Sequence, residues 1–166
     1  MASRRALLAG AAAAPLLLAA CGFQLRQAPN FAFQRLVLVM PGTPLSIELR
    51  RQLEASGNIQ VSNALAEAKP EDFVLESAGE RRERVVVSIT PTGQVREFQL
   101  RVRFSFRLRT VAGTELLPST EILRQVDQSY SETEALSKEA EALMLYQNMQ
   151  ADIVQQVMRR LAIIKR

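Results

Sequence analysis

Few side chains in this chain are equipped for distinctive chemistry: one thiol, Cys21, and a band of arginines. Cys21 is the sole cysteine, so it has no disulfide partner within the chain and no neighbour for a Cys/His nucleophile pair. Histidine is absent, which removes imidazole-ligated zinc sites and every histidine-based triad or acid–base pair. Glu97 and Asp152 are the carboxylates to consider for acid–base work, but neither has a paired carboxylate at recognisable spacing. What remains is a thiol that can carry a covalent group, and guanidiniums that can bind phosphates bidentately.

The surroundings of Cys21 say what the thiol carries. Arg4 and Arg5 form a short positive segment, and Ala6 to Ala20 follow without a charge. That run is too short for a membrane span, which needs about 20 apolar residues, and Pro15 interrupts it. It closes on Leu18-Ala19-Ala20-Cys21-Gly22, which resembles the lipobox of bacterial lipoproteins: an aliphatic residue, two small ones, then cysteine. Residues 1–20 are therefore expected to be a signal peptide that is removed, with a lipid on Cys21. Several acyl chains, at about 0.8 kcal/mol per buried methylene, make such an anchor effectively permanent. The plain alternative is an ordinary secretory signal cleaved elsewhere. Gly22 stands where many inner-membrane lipoproteins carry Asp, so the outer membrane, periplasmic side, is the expected address.

The remaining 146 residues have the size of one domain. Without Arg4 and Arg5 they hold 19 basic against 17 acidic residues, a net charge of +2. The distribution is uneven. Arg81, Arg82, Arg84, Arg96, Arg101, Arg103, Arg107 and Arg109 face only Glu83 and Glu97 between positions 81 and 109, and the balance reverses from Glu115 to Glu141.

The arginines need an element to hold them. From Val95 to Thr110, Phe98, Leu100, Val102, Phe104, Phe106 and Leu108 alternate with Glu97, Gln99, Arg101, Arg103, Ser105, Arg107 and Arg109. Period two predicts a strand with one buried face and one basic face. Its hairpin partner is Arg84 to Ile89, across the turn Thr90-Pro91-Thr92-Gly93. Upstream, 21–34 reads as a tether and Arg35 to Met40 as a buried strand. Thr43-Pro44 opens a helix carrying Leu45, Leu49 and Leu53, which Gly57 ends. Shorter strands are expected at Asn58–Ser62, Phe73–Glu76 and Ser119–Tyr130. Ser131 and Glu134 have capping-box spacing, opening a helix to Ile163 or Ile164 with the stripe Leu136, Ala140, Leu143, Ile153, Val157, Leu161 and Ile164 as core. The order predicts an α+β domain over 35–166, with helices on one sheet face.

Cys21-Gly22-Phe23-Gln24-Leu25-Arg26 resembles the start of the mature lipopolysaccharide-assembly lipoproteins of the LptE family. Three further segments match in order: Leu45 to Leu53 after a Pro-Gly turn, the hairpin through Gly93 into Glu97-Phe98-Gln99-Leu100, and Ala135-Leu136-Ser137-Lys138 followed by Met149 to Ile153 and Arg159-Arg160-Leu161. The resemblance implies two helices packed on one face of a roughly four-stranded mixed or antiparallel sheet. It implies a non-enzymatic protein without a cofactor, which plugs the outer-membrane barrel LptD, helps it fold and helps deliver lipopolysaccharide to the cell surface.

The same resemblance implies lipopolysaccharide contact through a basic residue in the turn before Gly93 and through Lys138. Here that turn (Thr90, Pro91, Thr92, Gly93) carries no charge, and Arg96 is the nearest substitute. Glu134, four residues before Lys138, offers it a plain salt bridge instead. The strand face Arg101, Arg103, Arg107 and Arg109 is expected to meet either glycolipid or the barrel wall, whose lumen is polar; a merely solvated face is its rival. An adaptor of another envelope machine, for barrel assembly or secretion, is the alternative function. Nucleic acid is disfavoured, because no aromatics interleave with the arginines on the polar face and export takes the domain away from it.

Overall fold

The computed structural model describes residues 30–164. The signal segment, Cys21 and most of the tether lie outside the described residues. Five strands form one sheet: β1 (Arg35–Val39), β2 (Gln60–Ser62), β3 (Phe73–Ile89), β4 (Val95–Thr110) and β5 (Glu115–Ser129), in the order β2-β1-β3-β4-β5. Two helices, α1 (Pro44–Ala55) and α2 (Ala135–Ala162), pack on one face. The α+β architecture stands as expected, with one strand more.

Each element has a local cause. Thr43 caps α1, with Pro44 at its first position. The Ser46 amide donates to Thr43 Oγ1 (3.3 Å), and Ser46 Oγ accepts from the Thr43 amide (2.8 Å). Leu45, Leu49 and Leu53 then bury completely, and Gly57 ends the helix at φ +74°. β1 lies parallel to both β2 and β3, which the intervening helical crossover permits. The long ribbon β3-β4-β5 is antiparallel, and its first turn closes with Gly93 at φ +85°. On β4, Leu100, Val102, Phe104, Phe106 and Leu108 are all fully or almost fully buried. They meet α2 through Met149, Ile153, Val157 and Leu161.

Several expectations are corrected. Phe73–Glu76 and Arg84–Ile89 belong to one strand of 17 residues. Alternation fails between them because β3 bulges at Ser77–Glu80, after which Glu80, Arg82 and Arg84 occupy its helix-side positions opposite Phe104, Val102 and Leu100. Phe31 and Phe33, read as tether, pack in the core, Phe33 stacking on Phe73 at 4.7 Å. Ser131 makes no capping bond; a 3₁₀ turn at Glu132–Glu134 precedes α2.

The stripe assigned to α2 is out of phase over the helix's first half. Leu136 and Leu143 are 90% and 60% exposed, and Ala140 is exposed too. The sheet-facing side there runs through Lys138, Ala142 and Leu145. Each helical residue turns about 100°, so Leu136 and Leu143 lie about 200° from Lys138 and Leu145.

The bulge depends on Gly79. Its φ is +96°, and a Cβ there would sit 2.8 Å from Pro41 Cγ. Gly79→Ala is expected to destabilise the domain by about 1–3 kcal/mol, from backbone strain and from the displaced Pro41. Urea unfolding checks this; a variant as stable as the parent would contradict the assigned role.

Candidate functional site

The arginine stripe forms as the alternation predicts, on the sheet face opposite the helices. Register decides its electrostatics, because β3 and β5 set carboxylates beside it. The Glu76 carboxylate is gripped from both sides: Arg109 donates through Nε (2.9 Å) and Nη2 (2.6 Å) to one oxygen, and Arg107 Nε donates to the other. Arg103 reaches Glu83 at 3.4 Å and Glu121 at 2.9 Å. Among the described residues, Arg101 has only the Gln99 amide oxygen, at 2.8 Å. Arg96 is exposed and has no side-chain partner among the described residues. The charges on this face are therefore largely paired; among the described residues Arg101 and, opposite Arg103 on β3, Arg81 lack a carboxylate there, as does Arg96 near the hairpin tip.

Lys138 is not part of that stripe. It sits on α2 over the β5 edge, 17% exposed, with Nζ donating to Glu141 (2.9 Å) and Ser129 Oγ (3.2 Å). The expected rival pair with Glu134 does not form; Glu141, one turn further on, takes the ammonium. Nearby, the buried Gln128 side chain donates to the Lys138 carbonyl at 2.8 Å, fixing this turn of the helix to β5. The turn Thr90–Gly93 lies at the ribbon tip, held by the Gly93 amide to the Thr90 carbonyl (2.9 Å) and the Gln94 amide to Thr90 Oγ1 (3.1 Å). The structure thus separates the candidates into a strand face, a helix edge and a hairpin tip.

A family model described as LptE, lipopolysaccharide-assembly, matches residues 29–161, almost all of the described domain. The chain belongs to the LptE family. No curated protein matches it in sequence. Among solved structures, an uncharacterised lipoprotein B of Nitrosomonas europaea is 31% identical, with a TM-score of 0.71 over 85% of this chain and 90% of that one. The rare lipoprotein B of Shewanella oneidensis (23% identity, TM-score 0.66, 78% and 94% covered) and a minor lipoprotein of Acinetobacter baumannii (18%, 0.62, 80% and 93%) share the fold. LptE membership makes this a lipoprotein of lipopolysaccharide assembly, in a family whose role is not enzymatic.

One cluster in this LptE domain escaped the sequence reading. Arg84, on the helix side of β3, lies 3.9 Å over the Phe98 ring and 5.5 Å from that of Tyr130, and pairs with Glu139 of α2 at 2.5 Å. Beside it, the Tyr146 hydroxyl donates to the Glu83 carbonyl (2.9 Å), and the Gln150 amide donates to Glu80 (2.6 Å). Burial pushes the Tyr146 pKa up, so it stays a neutral donor. The density of arginine at 81, 82 and 84 was the available signal. Its partners come from β4, α2 and the segment between β5 and α2, so only the fold reveals them.

Glu76 supplies a pH test. Hydrogen bonding from Arg109 first, and also from Arg107, holds its carboxyl below the ordinary glutamate range against the opposing effect of burial. A depressed folded-state pKa stabilises above the unfolded value, about 4.3, and that contribution is lost as pH falls through the depressed one. Glu76→Gln is therefore expected to cost roughly 1–2 kcal/mol at neutral pH. The gap to wild type should close below about pH 4. Denaturation curves at both pH values check it; a gap unchanged in acid would contradict the assignment.

Proposed function

We propose that this protein is an outer-membrane lipoprotein, held on the periplasmic side by lipid on Cys21. It plugs and assists assembly of an LptD-type β-barrel and with it delivers lipopolysaccharide to the cell surface. It works by binding, without catalysis. The LptE match across almost all of the described domain carries this reading, and the charge lattice on the exposed sheet face supports it. A polar barrel lumen requires a plug whose outward surface is polar, and paired charges satisfy that without a large net field repelling either partner.

Direct glycolipid contact, in this reading, falls to Lys138, Arg96, Arg101, Arg103, Arg107 and Arg109, with the turn Thr90–Gly93 directed into the barrel. Arg96 and Arg101 bind phosphate most readily, because neither has to release a carboxylate. Arg103, Arg107 and Arg109 exchange one anion for another.

Two outcomes follow. Depleting the protein in its own bacterium is expected to remove lipopolysaccharide from the cell surface and leave the barrel misfolded, read by surface labelling and heat-modifiable gel mobility; undisturbed lipopolysaccharide and barrel would refute the reading. Arg96→Glu with Arg101→Glu should reduce co-purifying lipopolysaccharide at least tenfold, since even one charge-assisted bond contributes about 1.5–3 kcal/mol. Undiminished glycolipid would remove these two residues from the contact.

A further inference from the structure

β3 is flanked on both sides only at its start. From Leu36–Val39 opposite Phe73–Glu76 it pairs with β1, but beyond the bulge its sole ladder partner among the described strands is β4. The segment 80–89 is therefore strand with one open edge. Main-chain direction there follows from a single contact. The Glu83 carbonyl accepts from the Tyr146 hydroxyl, so it points away from β4. Antiparallel residues alternate between facing the partner strand and facing away. Val85, two residues on and opposite Gln99, thus directs its own N–H and C=O to the open side.

The other two edges of the sheet are blunted in familiar ways. β2 is three residues long, and β5 carries Pro118, a register shift and the charges Glu121, Arg124 and Asp127. The distal edge of β3 shifts register against β4 on either side of Ser88, but from Val85 to Ile89 it carries neither proline nor charge. It reads Val85-Val86-Val87-Ser88-Ile89, with Val86, Val87 and Ile89 respectively 48%, 46% and 62% exposed. Alongside it runs the flank of α2 that bears Leu136, Glu139, Leu143 and Tyr146 at helical spacing. Glu139 and Tyr146 touch Arg84 and Glu83, and exposed Leu136 and Leu143 follow about 60° further round the helix, on the solvent side of that contact. The charges at this surface already close on one another, as Arg84–Glu139 and Arg82–Glu80. It therefore suits a backbone and apolar side chains rather than a phosphate.

We propose that the open edge of β3 from Val85 to Ile89, with the Leu136–Leu143 flank of α2, is a slot for one extended strand of the partner protein, apolar at alternate positions. Main-chain bonds to the edge supply affinity, and the apolar flank reads alternate side chains. The inference rests on the reading that the partner is an outer-membrane barrel. Strands of a closed barrel have no unpaired edge. The added strand therefore comes from a terminal extension or loop of that partner, outside its barrel wall.

The test places a photo-reactive amino acid at Ile89 in the full lipidated chain in its own cells. The expected result is an adduct with the co-purifying barrel protein, mapped by mass spectrometry to a segment outside the barrel strands. Val85→Pro removes an outward N–H and leaves the β4 ladder intact; it should lower the adduct at least tenfold while thermal unfolding shows a folded domain. If that variant does not fold, Val87→Lys, which keeps every main-chain group and charges the edge, should give the same loss. An adduct with a second copy of this chain, an adduct on the barrel wall, or one indifferent to the variants would overturn the slot. So would no adduct while the barrel still co-purifies, which leaves the functional reading standing. No barrel in the wild-type purification would overturn both.

Discussion

The ladder between β3 and β4 is the member on which the other parts rest. It runs from Phe73 opposite Thr110 to Ile89 opposite Val95, roughly 50 Å of paired strand. Because strand side chains alternate, fixing this register fixes two surfaces at once. It turns Leu100, Val102, Phe104, Phe106 and Leu108 toward the helices, and it sets Arg101, Arg103, Arg107 and Arg109 among the carboxylates of β3 and β5. A slip of one residue would bury the guanidiniums and expose the phenylalanines. No helix-packing energy could compensate for that.

From this ladder the molecule divides into two regions with different physics. At the proximal end, β1, β2, α1 and the phenylalanines Phe31, Phe33 and Phe73 make a closed apolar core. Past Gly79 the helix side of β3 turns polar, and α2 is held there by specific bonds: Arg84 to Glu139 across Phe98, Tyr146 to the Glu83 carbonyl, and Gln128 to the Lys138 carbonyl. The proposed role as a plug would use this division. The core makes the domain independent, and the ribbon presents main chain and paired charge to a partner.

Much of this was legible in the sequence where one pattern dominated. The period-two run of β4 and the Thr43-Pro44 cap with leucines every fourth residue located a strand and a helix correctly. Legibility failed where two phases scored alike or where the cause lay elsewhere in the chain. Leu136 and Leu143 are better hydrophobes than Ala142, yet the sheet selects Ala142 and Leu145, because the continuous helix carries forward the phase set by buried Ile153, Val157 and Leu161. The continuity of β3 was hidden by Glu80, Arg82 and Arg84 at helix-side positions, whose partners Gln150, Tyr146 and Glu139 lie more than fifty residues away. The same holds for the arginine stripe. Its residues were visible, but its near-neutral character depends on Glu76, Glu83 and Glu121 on neighbouring strands.

The central claim is that this domain exists to associate with one outer-membrane barrel in lipopolysaccharide delivery. The most direct measurement is affinity purification of the tagged, lipidated protein from detergent-solubilised outer membrane, with the stoichiometric partner and bound lipid identified by mass spectrometry. The account predicts one large β-barrel protein with lipopolysaccharide in the complex. A different stoichiometric complex, or the lipoprotein alone, would contradict it.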